Sequence, residues 1–204
     1  MGRGNLHRDR LADLLASRIN RQVERELIGG PELPEGTVTV LFTDVEGSTT
    51  LVARLGDARA RALLRRHDEI VRAALRDCGG DEVEHPGDSF MAVFRTATGA
   101  VACALDIQQR LATERAARPE TPRVRIGMDT GEVIREDAGY FGATVFRASR
   151  IADAAGGDEV LVSQVVQLLA AGSPAAFVEA GDHELKGLGG RHLLFRVEDR
   201  EEGA

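Results

Sequence analysis

The stretch Leu41-Phe42-Thr43-Asp44-Val45-Glu46-Gly47-Ser48-Thr49-Thr50 decides how this chain is read. Upstream, Thr37-Val38-Thr39-Val40 continues the same β-branched and apolar composition, which predicts a strand over 37–43. Asp44 then stands at the strand's exit with its carboxylate able to face a ligand. Gly47 lets backbone N–H groups come close to an anion. Ser48 or Thr49 is expected to cap the helix that follows, whose N-terminal dipole favours negative charge. A carboxylate followed by the loop Glu46-Gly47-Ser48-Thr49 predicts a site for a phosphate and a divalent cation.

Outward from this point, strand and helix patterns alternate. Helices are expected near 47–55 and 57–78, then strands near 81–86 and 88–94 joined by a tight Pro86-Gly87-Asp88 turn. A helix near 96–115, a strand pair from Arg123 through Arg135, a helix near 143–155, a strand at Glu159–Val162 and a helix near 163–171 follow. A hairpin-like pair over about 175–185 and 192–198 closes the chain around Lys186-Gly187-Leu188-Gly189-Gly190. This order predicts an α/β chain, an α+β sandwich with helices between its strands. Leu11, Leu15, Ile19, Val23 and Leu27 recur at i, i+4 until Gly29-Gly30-Pro31 stops the pattern. Residues 1–35 therefore read as an N-terminal helical extension, either packed on its own domain or serving as a dimer-supporting or regulatory arm. Residues 36–198 read as the main domain and 199–204 as a polar tail.

A chain of 204 residues with 43% hydrophobic content suits one well-filled domain and a short appendage. Its net charge of −7, from 26 basic and 33 acidic residues, argues against a nucleic-acid backbone as main partner. No apolar run approaches the roughly 18 residues that span a bilayer, and Met1-Gly2-Arg3-Gly4-Asn5 has no signal-peptide core. A cytoplasmic protein with no membrane partner is expected. Cys78 and Cys103 lack CxxC spacing, so neither a zinc site nor a disulfide is predicted. His67, among Arg65, Arg66 and Asp68, is expected in solvent, as are His183 and His192 beside the terminal turn.

A second carboxylate gives Asp44 a partner. In Glu84-His85-Pro86-Gly87-Asp88-Ser89-Phe90-Met91-Ala92-Val93-Phe94, Asp88 sits between two short strands, after a glycine that takes conformations other residues resist. Alone it reads as a turn residue. With Asp44, it could hold two divalent ions.

At this point the sequence resembles the class III nucleotidyl cyclases, specifically adenylyl cyclase catalytic domains of the actinobacterial type. The blocks that carry the likeness are Phe42 to Thr49, Gly87 to Phe94, Arg125-Ile126-Gly127-Met128-Asp129-Thr130-Gly131-Glu132-Val133, and Phe141-Gly142 through Arg150-Ile151. Gly156-Gly157 through Ser163 and Glu184-Leu185-Lys186-Gly187-Leu188 complete a family order that covers about Thr37 to Val197. The resemblance implies a ferredoxin-like βαββαβ core with added strands, and a head-to-tail homodimer with active sites at the interface. It implies that Asp44 and Asp88, with the Val45 carbonyl, bind two Mg²⁺ or Mn²⁺ ions per site. Arg150 from the partner subunit would stabilise charge on the α-phosphate, and Lys186 would hold the terminal phosphates. The product would be a 3′,5′-cyclic nucleotide and pyrophosphate.

The same resemblance addresses the base. ATP-using members carry a lysine where this chain has Glu84, and usually an aspartate where it has Gly139. Glu84 can accept from both guanine donors, N1 and N2, whereas against adenine it would face the N1 lone pair. Gly139 removes a carboxylate that would repel guanine O6, and Tyr140 would pack beside the base or donate to O6. GTP is therefore the expected substrate, with ATP as the alternative. His85, next to Glu84, could shape the pocket. The chain also departs from the family at Phe146, where an asparagine would orient the ribose. Phe146 then either contacts the nucleotide or packs into the core, and a slow enzyme is expected because a lost positioning donor costs on the order of a hundredfold. A catalytically weak nucleotide-binding regulatory domain is the rival from outside enzymes.

Overall fold

Strand β1, Gly36–Val45, runs through the middle of the sheet between β3, Phe90–Phe94, and β4, Val124–Glu136, antiparallel to both. Its residues are buried on both faces because helices cover both. Leu41 and Val45 point one way and Val38, Val40 and Phe42 the other, as strand alternation requires. The computed structural model describes residues 34–83, 89–136 and 139–200, apart from the side chains of Thr49 and Glu136. The expected helix over 9–28, together with Glu84, His85 and Asp88, lies outside the described residues.

After β1 come α1, Ser48–Leu55, and α2, Asp57–Cys78, then β2, Asp81–Val83, and β3. Helix α3, Ala97–Ala117, leads into β4, capped at its start by the Thr96 hydroxyl, which accepts from the Gly99 N–H at 3.2 Å. The sheet order β2-β3-β1-β4 over this βαββαβ unit, antiparallel throughout, is the ferredoxin-like arrangement. Added to it are the short β5, Gly139–Phe141, which pairs with β4, and α4, Ala143–Ala154. Strand β6, Val160–Ser163, lies parallel to β4, and α5, Gln164–Leu169, follows it. The hairpin of β7, Ala176–His183, and β8, His192–Glu198, extends the far edge in the order β6-β8-β7.

Helices α2 and α3 bury Ile70, Val71, Leu75, Ile107 and Leu111 against Leu41, Ile126 and Met128. Helix α4 lies on the opposite face, where Ala148 and Ala152 meet Val38, Val40 and Phe42. His67 belongs to the first layer and is fully buried, contrary to the expectation of solvent. It falls in the i, i+3, i+4 stripe with Ile70 and Val71, and its ring meets Phe90 edge-on at 5.8 Å. His183 and His192 are half-buried. Cys78 and Cys103 are free, and burial pushes both thiols up, so neither is an activated nucleophile.

The strand pair expected from Arg123 through Arg135 is one 13-residue strand, β4, with β5 folding back on its end. The strand runs on through Thr130-Gly131, and its glycines serve to admit a helix. A Cβ at Gly131 would come within 2.5 Å of Thr144 Oγ1 on α4. At Gly127 it would come within 2.0 Å of the Ala152 backbone nitrogen. The two glycines let α4 rest on the β4 backbone, and α4 is the helix that carries Arg150.

Candidate active site

Asp44 lies near the end of β1 on the side facing α4, in alternation with Val38, Val40 and Phe42. Its antiparallel partner on β4 is Arg125. The Arg125 guanidinium donates to Asp44 Oδ2 from Nε at 2.8 Å and also from Nη2, and both side chains are 28% exposed. Arg125 Nη1 donates to the Asp153 backbone carbonyl at 3.2 Å, and its Nη2 lies 3.6 Å from Asp153 Oδ1. Asp153 Oδ2 in turn accepts from Arg150 Nη1 at 2.8 Å. Side chains of alternating charge thus run from Asp44 through Arg125 and Asp153 to Arg150.

The loop after Asp44 differs from expectation in its cap. Gly47 itself is the N-cap of α1, at φ 64, with no side-chain cap, and its carbonyl accepts from the Leu51 N–H at 2.9 Å. The sharp turn out of β1 needs a left-handed residue there, and glycine takes that conformation without strain. Ser48 is already the first helical residue, and the Thr49 side chain lies outside the described atoms. The Glu46 N–H donates to the Arg123 carbonyl at 2.9 Å, while its carboxylate rests where a Cβ on Gly157 would be 2.3 Å from Oε2.

Asp44 and the Val45 carbonyl offer hard oxygen donors, the kind that suits Mg²⁺ or Mn²⁺ rather than a soft metal. A partly exposed carboxylate held by one guanidinium on one oxygen fits a cation ligand. Among the described residues no group of three His, Cys, Asp or Glu could hold a metal, and Asp88 lies outside them. Phe90, two residues after Asp88 in the chain, stands opposite Thr43, one residue before Asp44.

On α4, Phe146 and Arg150 stand at i, i+4 and share an outward face, 47% and 38% exposed. Phe146 meets Phe141 edge-on with centroids 5.4 Å apart, so the core-packing alternative does not hold. Between them Arg147 turns inward: its Nη1 donates to Oδ2 of the fully buried Asp129 at 2.7 Å. The pair fixes the rotation of α4 about its axis, because the Asp129 carboxylate is fully buried and would be costly to leave uncompensated. Lys186 is exposed on the β7–β8 loop, where Glu184, Gly187, Gly190 and Arg191 help line a cavity of about 460 Å³. Leu185 and Leu188 pack with Ile151 and Ala155, which seats this loop against the end of α4, one residue from Arg150.

Gly139, at φ 144, lies against Val83, where a Cβ would be 3.2 Å from Cγ1. Val83 is the last described residue before Glu84, so Gly139 borders the strand that leads to it. Tyr140 packs against the apolar cluster that holds Val38, Val40 and Val83, and its hydroxyl donates to the Pro34 carbonyl at 2.6 Å. Sequence reasoning missed Arg125, Asp153 and the Asp129–Arg147 pair. Their signal is register, since Arg125 matters by standing opposite Asp44.

A family profile described as the adenylate and guanylate cyclase catalytic domain matches residues 32–198. An uncharacterized protein of Mycobacterium tuberculosis is 39% identical over 160 residues, covering 76% of this chain and 53% of the relative. The chain thus spans about half the length of that curated relative. An adenylate cyclase of Podospora anserina is 34% identical over 155 residues, covering 64% of this chain and 7% of the fungal protein. Among solved structures, the guanylate cyclase domain of RhGC from Catenaria anguillulae, in complex with GTP, superposes with a TM-score of 0.72 at 26% identity. That match covers 81% of this chain and 97% of the other. No helix among the described residues is long and apolar enough to cross a membrane. With the ferredoxin-like sheet, the Asp44 loop and a family match over 32–198, this chain belongs to the class III adenylate and guanylate cyclase catalytic domain family.

Proposed function

We propose that this chain is a cytoplasmic nucleotidyl cyclase that prefers GTP and works as a head-to-tail homodimer. The supporting observation is the position of Asp44, a partly exposed carboxylate at the end of a strand, followed by the Gly47 turn into α1. In the reaction the ribose 3′-oxygen attacks the α-phosphorus, the bond from that phosphorus to the β-bridging oxygen breaks, pyrophosphate leaves and the hydroxyl proton passes to solvent. Two divalent cations, when bound by Asp44, the Val45 carbonyl and Asp88, supply a lowered 3′-hydroxyl pKa and neutralise triphosphate charge. The Glu46-Gly47-Ser48-Thr49 loop borders the phosphates. Arg150 of the partner subunit stabilises charge growing on the α-phosphate, and Lys186 holds the terminal phosphates. Glu84 accepts from guanine N1 and N2, Gly139 keeps a carboxylate away from O6, and Tyr140 packs beside the base.

Chromatography of the products from an equimolar GTP and ATP mixture with Mn²⁺ tests this reading. Cyclic GMP should predominate, and Glu84→Lys should move the ratio toward ATP by about tenfold or more, because the carboxylate that pairs with guanine is gone. An unaltered ratio would sink the base assignment and leave the adenylyl cyclase alternative. Exposed Phe146 in place of a polar ribose contact supports slow turnover, so Phe146→Asn should raise kcat by about ten- to a hundredfold. Nucleotide binding without any cyclic product, even at high enzyme concentration, would instead make the chain a nucleotide-binding regulatory domain.

A further inference from the structure

We propose that Asp153 is a positioning residue that divides Arg125 between two acceptors and so sets how readily Asp44 yields to a divalent cation. The inference rests on the reading of Asp44 as a cation ligand and adds to it a residue that touches neither substrate nor metal.

Arg125 holds Asp44 through Nε and Nη2, both on Oδ2. A cation that binds this carboxylate, through Oδ1 as well as through Oδ2, competes with the guanidinium for the same negative charge. What Arg125 can turn to decides the competition. Its Nη1 already donates to the Asp153 carbonyl, and the Asp153 carboxylate lies 3.6 Å from Nη2, so a second acceptor waits within a small rotation. Asp153 is itself fixed by Arg150, one turn earlier on α4. With the Asp153 charge removed, Arg125 keeps a full hold on Asp44 and the cation binds less tightly. Asp153 is 50% exposed, so the effect is set on the scale of a solvated ion pair, about threefold to fivefold in affinity.

The test is Mn²⁺ binding to the full chain without nucleotide, followed by electron paramagnetic resonance of the free ion. Asp153→Asn should weaken Mn²⁺ binding about threefold to fivefold, and Asp153→Glu should restore most of it. In an Arg125→Met background, Asp153→Asn should change the affinity by less than about 1.5-fold, since the competitor is gone. An equal loss in both backgrounds would mean that Asp153 acts as a distant field, which overturns the proposal and leaves the Asp44 reading standing. Wild-type affinity no tighter than that of Asp44→Asn would overturn the Asp44 reading and this inference together. Circular dichroism of each variant separates either result from misfolding.

Discussion

Asp44→Asn is expected to lower the rate of cyclic nucleotide formation by about a thousandfold while the protein still folds. The change keeps the shape of the side chain and removes the charge that a divalent cation needs. Lewis-acid and charge-neutralising contributions to phosphoryl transfer are worth several kcal/mol, so losing one anionic ligand reaches that scale. Folding should hardly register the change. Asp44 and Arg125 are both 28% exposed, and ion pairs in such surroundings contribute about 1 kcal/mol or less. Arg125 also keeps its bond to the Asp153 carbonyl. The measurement is kcat across a Mn²⁺ titration beside a thermal melt of the same sample. Activity within tenfold of wild type at saturating Mn²⁺ would remove Asp44 from the reaction, whereas a collapsed melt would make it a structural residue.

Gly127→Ala is expected to cost about 3 kcal/mol or more, among the largest stability losses a single methyl can cause here. An added Cβ would stand 2.0 Å from the Ala152 nitrogen, 2.5 Å from its Cα and 2.7 Å from the Ala148 carbonyl oxygen. All three are backbone atoms, so no rotamer change relieves the collision and the whole of α4 must lift from β4. With a urea slope of about 2 kcal/mol per molar, the unfolding midpoint should fall by about 1.5 M. Gly172 supplies the control. A Cβ there meets nothing within 4 Å, and Gly172→Ala should stay within about 0.5 kcal/mol of wild type. A midpoint for Gly127→Ala close to that of Gly172→Ala would show that α4 does not sit on β4 as described. The variant that does fold should lose activity beyond its loss of stability, because a displaced α4 moves Arg150.

Much of the architecture is local and therefore readable. The β-branched run before Asp44 makes β1, the i, i+4 apolar stripe makes α2, and Gly79 at φ 70 ends it. Where reading failed, a distant contact had overridden a local signal. The run from Arg123 through Arg135 reads as a strand pair, whereas it is a single strand in which Gly131 makes room for the Thr144 hydroxyl of α4. Ser48 looks like a cap because hydroxyls usually are, yet the exit from β1 requires a left-handed residue and Gly47 takes the position. His67 looks solvated among Arg65, Arg66 and Asp68, but the same helix turn also faces Ile70 and Val71.

The sequence by itself determined the order of elements, the family, and the residue types from which a cyclase site could be built: Asp44, Asp88, Arg150 and Lys186 in family order. Those depend on short-range propensity and on motifs whose members lie within a few positions of one another. Tertiary structure decided what surrounds them. Arg125 is 81 positions from Asp44 yet takes its carboxylate, and Arg147 turns into the sheet to meet Asp129 while Phe146 beside it faces outward. Strand register and the seating of one helix on two glycines set those pairings, and neither can be read without knowing which strands lie side by side.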